Sequence, residues 1–113
     1  MFQLVSNIEF NFASVNTKND MEDLINALKS DNKKIIDVRT PEEFMGGHVA
    51  GSINIPLNEI PNRLEEFKSI SDKIILCCAS GNRSGQAAYF LGDHEIDCIN
   101  GGPWTQVNYL LNN

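Results

Sequence analysis

The chain has 113 residues, 42% of them apolar and 21% charged. That mixture predicts one domain (1–113) around a single buried core, neither a disordered segment nor a small disulfide-stapled scaffold. Nine Lys and Arg against fifteen Asp and Glu leave a net charge of −6. Such a surface argues against nucleic-acid and anionic-membrane partners, and an anionic substrate must be held by a local site.

The opening FQLVSNIEFNFASV mixes β-favouring residues with turn formers and predicts an edge strand. It carries neither a basic leader nor an uninterrupted apolar run, and no segment approaches the ~20 apolar residues that span a bilayer. Three cysteines, an odd number, fit free thiols in a reducing compartment, so the expected location is cytoplasmic. Cysteines at 77, 78 and 98 with two distant histidines are poorly spaced for zinc, and no metal is expected.

From Asp20, the positions Met21, Leu24, Ile25 and Leu28 recur at helical spacing. The run 34–38, KIIDV, follows as a short strand apolar on both faces, as parallel strands are. Thr40, Pro41 and Glu43 carry a helix-start signature, with Thr40 as cap and Glu43 closing a capping box. A second strand is expected over 52–55, then a helix with Ile60, Leu64 and Phe67 on one face and Pro61 near its start. The third strand is 72–78, followed by a helix through GNRSGQAAYFLGD that packs Ala87, Ala88 and Leu91 on the sheet and stops near Gly92. A fourth strand over 95–100 and a last helix in GGPWTQVNYLL complete the chain. Alternating short strands and helices predict an α/β domain with a mostly parallel sheet, whose ligands bind at the carboxyl edge of the strands.

The run LCCASGNRSG (76–85) falls at such an edge. Ala79, Ser80, Gly81 and Asn82 form a small-residue loop whose N–H groups can point inward as an anion nest, and the helix start near Arg83 and Ser84 adds unpaired donors. A thiol centred there ionises below its free pKa, each unit being worth ~1.4 kcal/mol. Strand residues alternate faces, so Cys77 and Cys78 cannot both face the loop. Cys77 shares the register of Ile75 and is assigned to the core; Cys78, three residues before Gly81, is assigned as nucleophile.

CASGNRSGQAA resembles the active-site loop and following helix of the rhodanese family in its single-domain form. IIDVRTPEEFMGGHVAGSINIPL (35–57) and INGGPWTQV (99–107) are similar to that family's upstream and downstream signatures, so the resemblance covers about 33–110 in order and spacing. It implies a five-stranded parallel sheet flanked by helices, and sulfur transfer through a cysteine persulfide without metal or organic cofactor. Cys78 takes sulfane sulfur from a donor such as thiosulfate, loop N–H groups from Ala79 to Ser84 hold the persulfide, and a thiol, a thiol-bearing protein or cyanide removes it.

Arg83 then reads as a guanidinium for the donor's oxyanion end, or else as a brace paired with Glu42 or Glu43. Ser84 reads as a helix cap and loop donor, since no His–acid pair is placed to activate it. Asp37 and Arg39 read as structural, with Arg39 able to reach Glu43. His48 reads as a hydrogen-bonding turn residue, because thiolate attack needs no base, and His94 as solvated. Trp104 and Phe44 read as core aromatics or, at most, walls of the site mouth, and Cys98 as inert or else a second sulfur-relay thiol. Three rival functions share these residues. A Cys-based phosphatase or arsenate reductase has a loop one residue longer, which only the Cys77 register imitates. A non-catalytic rhodanese-like binding module usually lacks the loop cysteine. A dedicated sulfur carrier shares the chemistry but serves a partner protein.

Overall fold

The computed structural model describes residues 18–113. Among them the order is α1 (Lys18–Lys29), β1 (Lys33–Asp37), α2 (Pro41–Met45), β2 (Ile53–Asn54), a 3-10 segment (Leu57–Arg63), α3 (Leu64–Lys68), β3 (Lys73–Cys78), α4 (Asn82–Asp93), β4 (Cys98–Pro103) and α5 (Trp104–Leu111). The four strands form one parallel sheet in the order β2-β1-β3-β4. The expected fifth strand is therefore not found among the described residues. The N-terminal edge strand read in the sequence lies outside them.

Both faces of the sheet are buried, which is why its central strands read as nearly continuous apolar runs. On one face, Ile35, Ile75 and Cys77 pack with Leu24, Ala27 and Leu28 of α1 and Val107 of α5. On the other, Ile36, Leu76 and Cys78 pack with Ile60, Phe67 of α3, and Ala87 and Leu91 of α4. The buried stripe of α1 thus runs through Leu24, Ala27 and Leu28, while Met21 stays 39% exposed.

Element boundaries shift for local reasons. Pro61 lies inside the 3-10 segment, which precedes the α-helical turns holding Phe67. Pro lacks the N–H that an α-helix interior needs, so a single longer helix does not form. The last strand starts at Cys98 instead of residue 95, because 95–96 are used to end α4. Glu95 turns left-handed (φ 63°), and the N–H groups of Glu95 and Ile96 donate to the carbonyls of Gly92 and Leu91. The Thr40 capping box forms as expected, with Glu43 N–H donating to Thr40 Oγ1 and Thr40 N–H to Glu43 Oε1.

In this strand order the connections from β1 and β3 leave in opposite directions, opening a crevice at their carboxyl ends. Asp37 and Cys77 are register partners there, and Val38 N–H donates to the Cys77 carbonyl at 2.9 Å. No helix among the described residues is long and apolar enough to cross a membrane.

Candidate active site

β3 ends at Cys78, and residues 79–81 turn the chain into α4. Gly81 makes that turn with φ 100°, a left-handed conformation that L side chains resist. A Cβ there would also stand 3.3 Å from Gly102 Cα, so the loop rests on the backbone of the Gly101–Gly102 segment. That segment is displaced by a bulge: Leu76 pairs with Asn100, but Cys78 pairs with Pro103. Gly101 is required by crowding, since a Cβ would come within 2.8 Å of Val107 and 3.0 Å of Ile75 and the Leu76 carbonyl.

The turn places Cys78 Sγ among donors. Gly81 N–H donates to it at 2.9 Å, Ser84 N–H at 3.4 Å, and Ser84 Oγ lies 3.3 Å away. Cys78 and Ser84 are both fully buried. Burial pushes the Cys78 thiol up, but the bonds from the Ser84 hydroxyl, then the N–H groups of Ser84, Gly81 and Ser80, outweigh it. The thiol ends below its ordinary value of 9.0. Of the other loop residues, Ala79, Ser80 and Asn82 are exposed, and Asn82 N–H is turned to Ser80 Oγ at 3.4 Å. Cys77 points to the opposite face, where burial, aided by the charge of Asp37, pushes its thiol up to about 12. Burial likewise holds Cys98 at about 12.

Arg83 is held by Glu43 in a bidentate pair, Nη1 to Oε1 at 2.8 Å and Nη2 to Oε2 at 3.0 Å. Of the two readings of Arg83, the structure therefore displays the brace. The Glu43 carboxyl is lowered to about 2, first by Arg83 and then by the Thr40 N–H. Arg39 does not reach Glu43. Its side chain closes on Asp37 (Nη2 to Oδ2 2.7 Å, Nε to Oδ1 2.9 Å), donates to the Gly47 carbonyl at 2.7 Å and lies 4.9 Å over the Trp104 ring. Asp37 sits two residues away on the same chain and is fully buried, so its carboxylate takes the nearest guanidinium.

His48 Nδ1–H donates to the Phe44 carbonyl at 2.7 Å, with the two rings stacked at 3.7 Å. Trp104 is half-buried against the α1–α5 face. His94 is exposed and bonded to the Phe90 carbonyl.

Sequence reasoning assigns Asn100 no role at the site. Its Oδ1 lies 2.7 Å from Ser84 Oγ and accepts from Gly102 N–H at 3.0 Å, while its Nδ2 donates to the Gly81 carbonyl at 3.3 Å. One side chain thus joins the Cys78 loop, the head of α4 and the bulge. Among the described residues, no three His, Cys, Asp or Glu side chains gather as a metal site.

Known proteins resemble this chain in sequence and fold. The family model for the rhodanese-like domain matches residues 20–103. Thiosulfate sulfurtransferase PspE of Escherichia coli is 41% identical over 59 residues, covering 51% of this chain and 57% of the relative. Thiosulfate sulfurtransferase 16, chloroplastic, of Arabidopsis thaliana is 43% identical over 65 residues, covering 48% and 54%. The chain therefore spans little more than half the length of these relatives. Among solved structures, the rhodanese-like domain protein of Staphylococcus aureus superposes with a TM-score of 0.63 at 31% identity, over 72% of this chain and 78% of that one. With the parallel sheet, the Cys78 loop at its carboxyl edge and these relatives agreeing, the chain belongs to the rhodanese-like domain family.

Proposed function

We propose that the protein is a sulfurtransferase that moves sulfane sulfur through a persulfide on Cys78. The observation that carries this reading is the thiol's setting: Cys78 Sγ faces the Gly81 N–H, the Ser84 N–H and the Ser84 hydroxyl at the head of a twelve-residue helix. A thiolate is stabilised there without a neighbouring base. Cys78 Sγ attacks the outer sulfur of a donor such as thiosulfate, the S–S bond breaks, and sulfite leaves with the electron pair. The persulfide's negative charge then rests on the outer sulfur, within the nest lined by Ala79, Ser80, Gly81, Asn82, Arg83 and Ser84. A thiolate or cyanide attacks that sulfur and returns Cys78 as thiolate, a double displacement through a covalent intermediate. The chain carries this out as one domain in a reducing, cytoplasmic setting. The phosphatase alternative needs the Cys77 register, and Cys77 lies on the other face with its thiol at about 12.

The test is intact-mass measurement of the full chain after incubation with thiosulfate. A one-sulfur adduct, absent in Cys78→Ser and kept in Cys77→Ser, is the expected result. No adduct from thiosulfate or from a persulfide donor would sink the reading and favour a non-catalytic binding module.

The Arg83–Glu43 pair favours a second reading of the same chemistry. The loop's one cation is already neutralised by a carboxylate, and residues 79–82 are uncharged, so a small anionic donor finds little attraction. A thiol-bearing protein as donor or acceptor does not depend on that cation. Faster loading from a protein persulfide than from thiosulfate would select it.

A further inference from the structure

Around Cys78 the protons do not match the acceptors. Ser84 Oγ lies 3.3 Å from Cys78 Sγ and 2.7 Å from Asn100 Oδ1, yet a serine hydroxyl has one proton to give. The Asn100 amide is fixed by two neighbours of opposite demand: Gly102 N–H donates to Oδ1, and Nδ2 donates to the Gly81 carbonyl. Turning the amide over would set Nδ2 against an N–H and Oδ1 against a carbonyl. The oxygen therefore faces Ser84.

We propose that Asn100 is a positioning residue that competes with the Cys78 thiolate for the single Ser84 hydroxyl proton, and so sets how readily Cys78 ionises. The proposal rests on the reading of Cys78 as the reacting thiol. In the thiol form, Cys78 S–H donates to Ser84 Oγ, and the Ser84 hydroxyl donates to Asn100 Oδ1. On ionisation the thiol proton passes to solvent, and the Ser84 hydroxyl rotates to donate to Sγ. Ser84 Oγ and Asn100 Oδ1 are then two acceptors face to face with no proton between them, which disfavours the thiolate. When sulfur is loaded, the charge moves to the outer sulfur and Sγ becomes a weaker acceptor. The Ser84 proton then returns to Asn100. Asn100 thus restrains the free thiolate and favours both the resting thiol and the loaded persulfide.

The charged groups around Cys78 sit in two pairs: Arg83 of α4 with Glu43 of α2, and Asp37 of β1 with Arg39. The next residue, Cys77, is held neutral by its raised pKa. β4 brings no charged side chain, only Asn100 and its neutral neighbours. Neither the two charged pairs nor Cys77 is altered in the variants below.

The experiment is the pH dependence of iodoacetamide alkylation at Cys78 in the full chain, read by intact mass with peptide mapping. Leu has the branching of Asn without its polar atoms. In Asn100→Leu the midpoint should fall by about one pH unit, roughly tenfold more thiolate at a given pH. Ser84→Ala should raise the midpoint, and adding Asn100→Leu to Ser84→Ala should move it no further, because no shared proton remains. A merely structural Asn100 predicts the opposite sign, since a loosened Gly81 turn withdraws donors from Sγ. An unchanged or raised midpoint in folded Asn100→Leu overturns the proposal, as does an equal shift in both backgrounds. If circular dichroism shows Asn100→Leu unfolded, Asn100→Ala makes the same comparison. Alkylation needs no sulfur donor, so a failure to load sulfur would sink the sulfurtransferase reading and leave this result to stand or fall by itself.

Discussion

Cys77 and Cys78 are adjacent on β3, both fully buried, and ionise in opposite directions. Cys77 belongs to an apolar cluster with Leu24, Ala27, Leu28, Ile35, Val49, Ile75 and Val107, against which Trp104 packs. Burial there is offset only in part by the charge of Arg39, the charge of Asp37 adds to it, and the thiol rises to about 12. Burial also acts on Cys78, but the turn at Gly81 and the head of α4 bring two N–H groups and a hydroxyl to its sulfur. Exposure alone therefore says nothing about thiol reactivity here. What separates the two is whether the strand has ended, because only past its end are backbone donors free to face a side chain.

The strongest way to break this contrast is to remove each sulfur in turn. Cys78→Ser should reduce sulfur loading and transfer to the uncatalysed background while leaving the fold intact. Cys77→Ser should load sulfur as the parent does, yet bury a hydroxyl among aliphatic groups at a cost of about 1–3 kcal/mol, seen as a lower melting temperature. Loading on Cys77, or its loss in a folded Cys77→Ser, would erase the distinction. A smaller effect is expected from Gly81→Ala. Its φ of 100° and the 3.3 Å approach to Gly102 Cα force the turn to shift, misaiming the Gly81 N–H. The Cys78 alkylation midpoint should then rise by about one pH unit, ~tenfold less thiolate near neutrality. In the unaltered protein that midpoint should lie below 9.0, and only Cys78 should be modified at neutral pH. Modification of Cys77 or Cys98 at comparable rates contradicts the assignment.

Much of this is legible in the sequence alone. Alternation along a strand separates Cys77 from Cys78, and Thr40, Pro41 and Glu43 announce their helix because capping chemistry is local. The parts that were not legible depend on approach across the fold. Asn100 reads as the last residue of the fourth strand, and nothing local says that a bulge opposite Cys78 brings it to Ser84, sixteen residues away. Arg39 was within reach of two carboxylates, and burial of Asp37, a tertiary property, decided between them. The start of β4 depended on how α4 ends, which a left-handed Glu95 settles without a glycine to signal it.

The subtlest comparison concerns Glu43, which braces the loop and neutralises its cation at once. Its carboxyl is lowered from 4.5 to about 2, so the pair stabilises the fold fully above pH 4.5 and ceases to as pH falls toward 2. Both partners are about one-third exposed, so the stability change in Glu43→Gln should be small and salt-sensitive. Melting temperatures of Glu43→Gln and the parent should differ slightly at neutral pH and converge as pH approaches 2. Binding should move the other way. Gln keeps an oxygen for the Thr40 N–H but releases Arg83 from a competing charge, so the KM for thiosulfate should fall a few-fold while sulfur transfer from Cys78 is unchanged. A KM that rises instead would mean that the bridge positions the loop for the donor, and that Arg83 acts as a brace even with substrate present.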